Sequence, residues 1–271
     1  VNQPPSIPPS LYTFMQAYYP FSGNTNDYSK NNYTGYGTNV TLTADRFGNP
    51  NSAYQFNGVD SRIFIPYQFF NNGWQDYTIS LWFSPDSHTG TTGPGQTLFG
   101  TLPRYATSIG YSYNDSRRAY HFKNSNTANA GWNILNNDAL NAGPMELGKW
   151  YHLIVVKRGL DYEYYLNGRL DKRVTSTTPP LNEYCTLQLG AMMPDNSDVF
   201  RGKLDEVMVF DQALDTLQLQ QLDVYTPRIR WSTGDTTKSI TVSPDSTTLY
   251  HVTVTNGVSS CTDSVKVTVS A

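Results

Sequence analysis

Hydrophobic and polar residues alternate with a period of two along much of the chain, most clearly in residues 148–169. The first half of this stretch divides into two sets that a strand sends to opposite faces: Trp150, His152, Ile154 and Val156, against Tyr151, Leu153 and Val155. Because both sets are largely apolar, the pattern predicts a buried hairpin inside a β-sandwich. Asn167 and Gly168 supply the positive φ angles of a tight turn, so we expect the chain to reverse there.

Similar strand patterns, separated by turn-forming residues, recur from about Gln16 to Val224. The predicted strands are 17–21, 53–56, 61–65, 77–84, 97–101, 107–113, 119–123, 150–158, 162–167, 186–190 and 202–210. This spacing is typical of a two-sheet sandwich. A single helix is predicted at 215–223, where Asp215 caps the free amides and Gln218 follows three residues later.

The chain divides by composition into three parts. Residues 1–15 are rich in proline and predict an extended linker, and residues 16–225 form the main β domain. Residues 226–271 form a second unit with four short predicted strands, 229–232, 239–243, 249–255 and 264–270. Because so short a chain buries little surface, this unit must lean on the main domain or belong to a larger module.

Composition and charge exclude two classes of partner. The 271 residues carry 19 Lys and Arg against 22 Asp and Glu, and no strand has a cluster of basic residues, so nucleic acid is not expected as a partner. No apolar run is long enough to span a bilayer, and no membrane insertion is expected. Abundant Asn, Thr and Tyr with few Lys favours a secreted or cell-surface protein.

Two cysteines, Cys185 and Cys261, lie far apart in sequence and form no metal-ligand motif. They form one disulfide if the chain is secreted and the geometry allows it. Alternatively, Cys185 is a buried thiol, since cysteine packs as a small hydrophobic residue. The sequence leaves both alternatives open.

Five segments together resemble the laminin-G-like, concanavalin A-like lectin/glucanase superfamily, in the form found in bacterial secreted multidomain proteins. They are YYPFSGNTNDYSKNNYTG at 18–35, DRFGNPNSAYQFNGVDSRIFIP at 45–66, DYTISLWFSP at 76–85, the hairpin at 148–170, and FRGKLDEVMVFDQAL at 200–214. In the hairpin, Asn167 stands where the family has Asp. The resemblance implies an all-β jelly-roll sandwich of two antiparallel sheets, one concave and one convex.

Residues 231–269 resemble the second half of Ig-like modules of bacterial surface proteins. Those modules begin with further strands and with a cysteine that pairs with the position of Cys261, and neither is evident before Ile229. The resemblance therefore implies a short, partial Ig-like β unit.

Enzymes of this superfamily provide a test for catalysis. The glucanases carry Glu-x-Asp-x-Glu on one strand, which directs alternate carboxylates to the same face. No such run occurs here, and the adjacent Asp205 and Glu206 are expected on opposite faces of a strand. HExxH and Gly-x-Ser-x-Gly motifs are also missing from the sequence, so the chain is predicted not to be an enzyme.

Calcium is the cofactor that the resemblance implies, as a structural ion bound by hard oxygen ligands. The matching positions are Asp27, the backbone around Gly58, and Asp205, with Glu206 as a substitute if the register differs by one residue. The alternative from the residues themselves is that Asp27 forms a turn and that Asp205 pairs with a basic residue of its own strand.

Sugar binding requires aromatic faces for the apolar side of a pyranose and polar groups for its hydroxyls. Segment 104–133 offers both, and the predicted ligand-binding residues are Tyr111, Tyr113, Arg118, His121 and Trp132. The alternative is that one face of these strands belongs to the core and that Trp132 closes the end of the sandwich.

The sequence therefore predicts a non-catalytic carbohydrate-binding or adhesive module of a secreted or cell-surface bacterial protein. Its expected partner is a glycan or an extracellular matrix polymer. Two other hypotheses stay open: a protein-interaction or spacer domain, and a glycoside hydrolase whose carboxylates come from separate strands.

Overall fold

The structure is a computed structural model. It describes residues 8–70, 75–90, 95–102, 107–112, 117–122, 140–176, 185–192, 195–224, 228–235, 239–255 and 260–269. The chain divides into two compact units, Val1–Leu214 and Asp215–Ala271.

Apart from one short helix, the regular elements described in the main unit are strands. Its elements are α1 (Pro9–Tyr12), β1 (Met15–Tyr19), β2 (Tyr36–Thr38), β3 (Thr41–Thr43), β4 (Ala53–Asn57), β5 (Arg62–Phe69), β6 (Asp76–Pro85), β7 (Gln96–Leu102), β8 (Ser108–Tyr111), β9 (Ala119–Phe122), β10 (Tyr151–Arg158), β11 (Asp161–Leu166), β12 (Arg169–Thr175), β13 (Cys185–Leu189) and β14 (Arg201–Phe210). The predicted all-β class is confirmed.

These strands form two antiparallel sheets. The eight-stranded sheet has the order β12-β11-β10-β6-β14-β4-β3, and β1 also pairs with β14. The six-stranded sheet has the order β2-β5-β13-β7-β8-β9. Sequence neighbours are often separated in the sheets, as expected for a jelly-roll sandwich.

The hydrophobic core receives alternate residues from both sheets, such as Leu81 and Leu153 from the larger sheet and Ile63 and Leu187 from the smaller one. Alternation along each strand sends one set of side chains into the core. Apolar burial of this kind is the main force that stabilises such a sandwich.

The hairpin predicted from residues 148–169 is confirmed. Leu153 and Val155 of β10 belong to the core, while His152, Ile154 and Val156 are buried on the other face of the sheet. Asn167 and Gly168 have φ of 49° and 75° and join β11 to β12.

Three strands and one short helix are not predicted from the sequence. The strands β2, β3 and β12 lack a clear apolar alternation, and most of their residues are exposed or half-buried. Their pairing with β5, β4 and β11 depends on neighbours rather than on their own pattern. Residues 8–15, assigned to the predicted linker, instead form α1 and the start of β1, and Leu11 is fully buried.

The C-terminal unit contains the helix α2 (Thr216–Val224) and the strands β15 (Arg228–Trp231), β16 (Thr248–Thr255) and β17 (Ser260–Val267). The predicted helix is confirmed, with a reciprocal cap at its start: the Gln218 amide donates to Asp215 Oδ1, and the Asp215 amide donates to Gln218 Oε1, both at 2.9 Å. The strand predicted at 239–243 is wrong, because these residues pair with none of the described strands.

The cysteines lie in different units. Cys185 is buried in the main unit, Cys261 is exposed on β17, and no disulfide forms among the described residues.

Candidate functional site

The predicted sugar-binding residues do not lie together in one described site. Tyr111 lies in the core, where its ring packs near Phe83 and its hydroxyl shares a 2.6 Å hydrogen bond with His88 Nδ1. This is the core position that the sequence left open as an alternative. Tyr113 and Trp132 lie outside the described residues.

Arg118 and His121 lie on the edge of the smaller sheet. Arg118 is half-buried just before β9, and its carbonyl accepts a 2.8 Å hydrogen bond from the Ser112 amide. His121 lies in β9, where its backbone pairs with Ile109. Arg118 and the backbone of His121 therefore lie together on the described part of this edge.

A second candidate region is the loop between β1 and β2, which is organised by the buried Asp27. Its Oδ1 accepts hydrogen bonds from the amides of Tyr18 and Ser29, each at 2.8 Å. Its Oδ2 accepts from Ser29 Oγ at 2.7 Å and from the Tyr33 amide at 2.8 Å. Four donors from three residues thus converge on one carboxylate and fix the loop against β1.

Asp27 serves this loop as a turn former, which was the alternative to a calcium ligand. A carboxylate has about four lone-pair positions, and four protein donors use them here. Gly58 lies in the turn after β4 beside Arg201, whereas Asp205 is four residues further along β14, about 13 Å away at the usual strand rise. Calcium stays a prediction from the resemblance.

A shallow depression opens at the same loop. It is lined by Tyr12, Asn26, Asp27, Tyr28, Ser29, Lys30, Asn32 and Thr34. Tyr12 and Tyr28 are 40% and 36% exposed, and Asn26 and Asn32 are also exposed. Lys30 Nζ donates a 2.9 Å hydrogen bond to the Thr13 carbonyl. Aromatic rings, side-chain amides and an ammonium group are therefore available to one ligand.

The sequence indicates only a calcium ligand in this loop and does not predict the depression. The available signal was the density of Asn and Tyr between residues 24 and 33. Tyr12 contributes from α1, which the sequence assigned to a linker, so its nearness to Tyr28 required the tertiary structure.

A third region is a buried carboxylate pair in β14. Asp205 lies opposite Trp82 and Met208 lies opposite Ser80, so one extra residue is accommodated between these pairs. Glu206 has a φ of 50°, the left-handed conformation often found at a bulge. Leu204 and Val207 both face the core, and the two carboxylates between them share the other face. The expectation of opposite faces was wrong because of this bulge.

The guanidinium of Arg46 and the hydroxyl of Tyr18 each donate a hydrogen bond to this carboxylate pair. Arg46 Nη1 donates to Asp205 Oδ2 at 3.0 Å, and the Tyr18 hydroxyl donates to Glu206 Oε2 at 2.8 Å. The guanidinium lies 4.3 Å from the ring centre of Phe47 and 4.5 Å from that of Trp82. Arg46 thus binds a carboxylate while stacking between two aromatic rings.

Burial governs the protonation of this pair. Desolvation raises the pKa of Asp205 well above its usual value, and the charge of Glu206 raises it further, against the opposing effect of Arg46. Desolvation also raises the pKa of Glu206. The charge of Arg46 and the hydrogen bond from Tyr18 oppose part of this rise. The pair therefore holds protons more tightly than free carboxyl groups do.

The described residues offer no metal centre and no membrane helix. No three His, Cys, Asp or Glu side chains among them are grouped to hold a metal ion. Neither of the two described helices has the length and apolar character needed to cross a bilayer.

The fold and a family model together define the class of protein. The Laminin_G_3 model, described as the Concanavalin A-like lectin/glucanases superfamily, matches residues 57–220. The chain belongs to this superfamily. No curated protein sequence matches it.

Solved structures share the fold at low sequence identity. Domain 4 of AbnA, a GH43 extracellular arabinanase from Geobacillus stearothermophilus in complex with arabinotriose, is 19% identical, with a TM-score of 0.57 over 77% of this chain and 98% of that domain. The botulinum neurotoxin serotype D binding domain is 12% identical, with a TM-score of 0.59 over 84% of this chain and 56% of its own. Trypanosoma rangeli sialidase is 15% identical, with a TM-score of 0.51, and the match covers 78% of this chain and 32% of the sialidase.

Proposed function

We propose that the chain is a non-catalytic, carbohydrate-binding lectin-like module of a secreted or cell-surface protein. The observation that carries this proposal is the depression beside Asp27, where two exposed tyrosines stand among exposed amides on a rigid loop. Aromatic faces pack against the C–H side of a sugar ring, and amides bond its hydroxyls. The arabinotriose bound to the similar arabinanase domain supports the same ligand class by analogy of fold.

Rigidity of the loop supports this site. The four hydrogen bonds to Asp27 hold residues 27–33 before any ligand arrives, so binding costs little ordering of the backbone. The side chains of Tyr28 and Asn26, on either side of Asp27, are thereby presented together to solvent.

Affinity gel electrophoresis over a panel of neutral plant, microbial and matrix polysaccharides tests the proposal. We expect retention on at least one polymer, and we expect Tyr28→Ala and Asn26→Ala each to weaken it about tenfold, which corresponds to about 1.4 kcal/mol. Tyr36→Ala is the matched control, because Tyr36 is 59% exposed but does not line the depression.

Two outcomes would change the proposal. No retention of the natural chain on any polymer would reject sugar binding. Retention that survives Tyr28→Ala but is lost in Trp132→Ala or Tyr113→Ala would move the site to the segment predicted from the sequence.

We propose no catalytic role for Asp205 and Glu206. They are 1% and 8% exposed, and Asp205 forms an ion pair with Arg46. A glycoside hydrolase needs two carboxyl groups that face the substrate across the scissile bond. We expect no release of reducing sugars from any retained polymer. Release that Asp205→Asn abolishes would overturn this part.

A protein-binding role is the second candidate. Trp231, Tyr250 and Val252 of the C-terminal sheet share one face with Val265, which is 51% exposed. Partly exposed apolar residues grouped on one face are common where proteins meet. Capture of a defined protein partner, lost in Val265→Asp but kept in Tyr28→Ala, would favour this alternative.

A further inference from the structure

The two faces of the C-terminal sheet differ in chemistry. Backbone pairing aligns Arg230 with Thr253 and Thr253 with Thr262, and it aligns His251 with Ser264. Paired residues in an antiparallel sheet share a face, as do residues two apart on one strand. One face, here called the basic face, therefore carries Arg230, His251, Thr253, Thr262, Ser264 and Lys266, beside Leu249.

Two cationic side chains, Arg230 and Lys266, lie on this face together with the imidazole of His251. Arg230, His251 and Lys266 are all exposed, and none of the described strand residues on the same face is a carboxylate. Asp263 pairs with Val252 and so lies on the opposite, apolar face. A chain with a formal net charge of -3 thus presents one strand surface without acidic residues.

A depression forms at one end of the basic face. Its lining includes Arg230, Trp231, Ser232, Thr233, His251 and Thr253, together with the backbone of Gly234. Ser232 and His251 are joined by two hydrogen bonds: the Ser232 amide donates to the His251 carbonyl at 2.8 Å, and the His251 amide donates to Ser232 Oγ at 3.2 Å. In the adjoining turn, Thr233 Oγ1 donates to Asp235 Oδ2 at 2.7 Å.

We propose that the basic face of the C-terminal unit is a binding site for an acidic polysaccharide. A carboxylate or sulfate group is bound at the depression by Arg230 and His251, and a second anionic group further along the polymer is bound by Lys266. Arg230 and Lys266 are about 16 Å apart, from two strand spacings and four residues of rise. This separation favours a polymer over a small anion.

The hydroxyl groups between the cations add partners for sugar hydroxyls. Thr253 and Thr262 share a 3.1 Å hydrogen bond, and Ser264 follows on the same face of β17. Guanidinium groups bind carboxylates and sulfates with directed hydrogen bonds, whereas hydroxyls donate to or accept from neutral sugar oxygens. The site is separate from the depression beside Asp27 and goes beyond the lectin-like function proposed for that loop.

The test uses the full chain in affinity gels that contain heparin as the sulfated polymer, polygalacturonate as the uronate polymer, and dextran as the neutral control. We expect retention on heparin, on polygalacturonate or on both, and none on dextran. Retention on heparin alone would indicate sulfate recognition, because polygalacturonate carries carboxylates only. Added salt should weaken the retention, because exposed charges are screened.

Variants locate the site. Arg230→Gln and Lys266→Gln should each weaken retention about threefold, and the double variant about tenfold, since distant substitutions act independently. Arg169→Gln is the matched control, since it removes the same charge from an exposed position in the main unit. Tyr28→Ala should leave this retention unchanged even if it abolishes binding to neutral glycans.

Three outcomes would overturn the proposal. They are no retention of the natural chain on either acidic polymer, unchanged retention of the double variant, and an equal loss in Arg169→Gln, which would indicate a response to net charge alone. The melting temperature of each variant checks that the chain remains folded.

Discussion

Two buried acidic sites of the main unit, Asp27 and the Asp205–Glu206 pair, are stabilised in opposite ways. Asp27 accepts four hydrogen bonds from uncharged donors within its own loop and the adjoining β1. Asp205 and Glu206 depend on the guanidinium of Arg46 and the hydroxyl of Tyr18. Tyr18 contributes to both sites, its amide to Asp27 and its hydroxyl to Glu206.

The difference shows what each carboxylate does in the fold. Neutral donors arranged around Asp27 order a loop that reaches solvent and presents exposed side chains. The Asp205–Glu206 pair attaches the loop containing Arg46 to the sheet at the cost of desolvating two carboxyl groups, which is why their pKa values rise. Asp27 orders an exposed loop, and the Asp205–Glu206 pair attaches the Arg46 loop to the sheet by an ion pair.

The largest effect on stability is expected from removing the guanidinium that pairs with Asp205. Arg46→Met leaves two buried carboxyl groups without a counter-charge and should destabilise the main unit by about 3–5 kcal/mol. The urea midpoint measures this loss. Adding Asp205→Asn and Glu206→Gln should restore part of the stability, and failure of this triple variant to recover any would show that stacking of Arg46, not its charge, dominates.

A smaller loss is expected from removing the carboxylate that orders the binding loop. Asp27→Ala leaves several amides without an acceptor and should cost about 2–4 kcal/mol, since each unsatisfied buried donor costs about 1–3 kcal/mol. The same variant should weaken glycan retention, because Tyr28 is no longer held. Asp27→Asn, which keeps one oxygen, should lose less in both measurements, and an intact affinity in Asp27→Ala would disconnect the loop from binding.

A still smaller effect, of opposite sign, is expected at Glu206. Its folded pKa is raised, so the stability that it contributes is present below its unfolded pKa and is lost as pH rises through the folded pKa. Glu206→Gln keeps an oxygen for the Tyr18 hydroxyl and should become more stable relative to the natural chain as pH rises. Urea midpoints between pH 4 and 8 measure the trend.

Glu163 is the matched control for this pH dependence. Burial raises the pKa of its carboxyl, but hydrogen bonds from Arg173 and Tyr165 outweigh that effect and lower the pKa overall. Its contribution is therefore present above its unfolded pKa and lost as pH falls, so Glu163→Gln should show the opposite trend. Equal trends in the two variants would contradict the assignment of the pair.

The smallest expected effect concerns calcium. The resemblance implies a structural ion, so a chelator should lower the melting temperature and added calcium should restore it. The saturation of Asp27 by protein donors makes a large shift unexpected. No shift on chelation would reject the ion, and a shift that persists in Asp27→Asn would move it away from this loop.

Several elements could be predicted because their information is local. The alternation in β10 and β11, the Asn167-Gly168 turn and the reciprocal cap at Asp215 each depend on residues close together in sequence. The bulge at Glu206 also left a signal, since Leu204 and Val207 are apolar positions three residues apart in a strand that should repeat every two. Regular alternation ignores this three-residue spacing and therefore predicts the two carboxylates on opposite faces.

By itself, the sequence determined the fold class, because strand periodicity and turn chemistry are short-range properties. It also determined the superfamily, because its segments resemble those of the family in the same order. Only the tertiary structure decided which residues meet. It brought Tyr12 of α1 to the same depression as Tyr28, and Arg46 to Asp205 of β14, which is far away in sequence. Long-range contacts of this kind depend on strand order and register, and no local pattern encodes them.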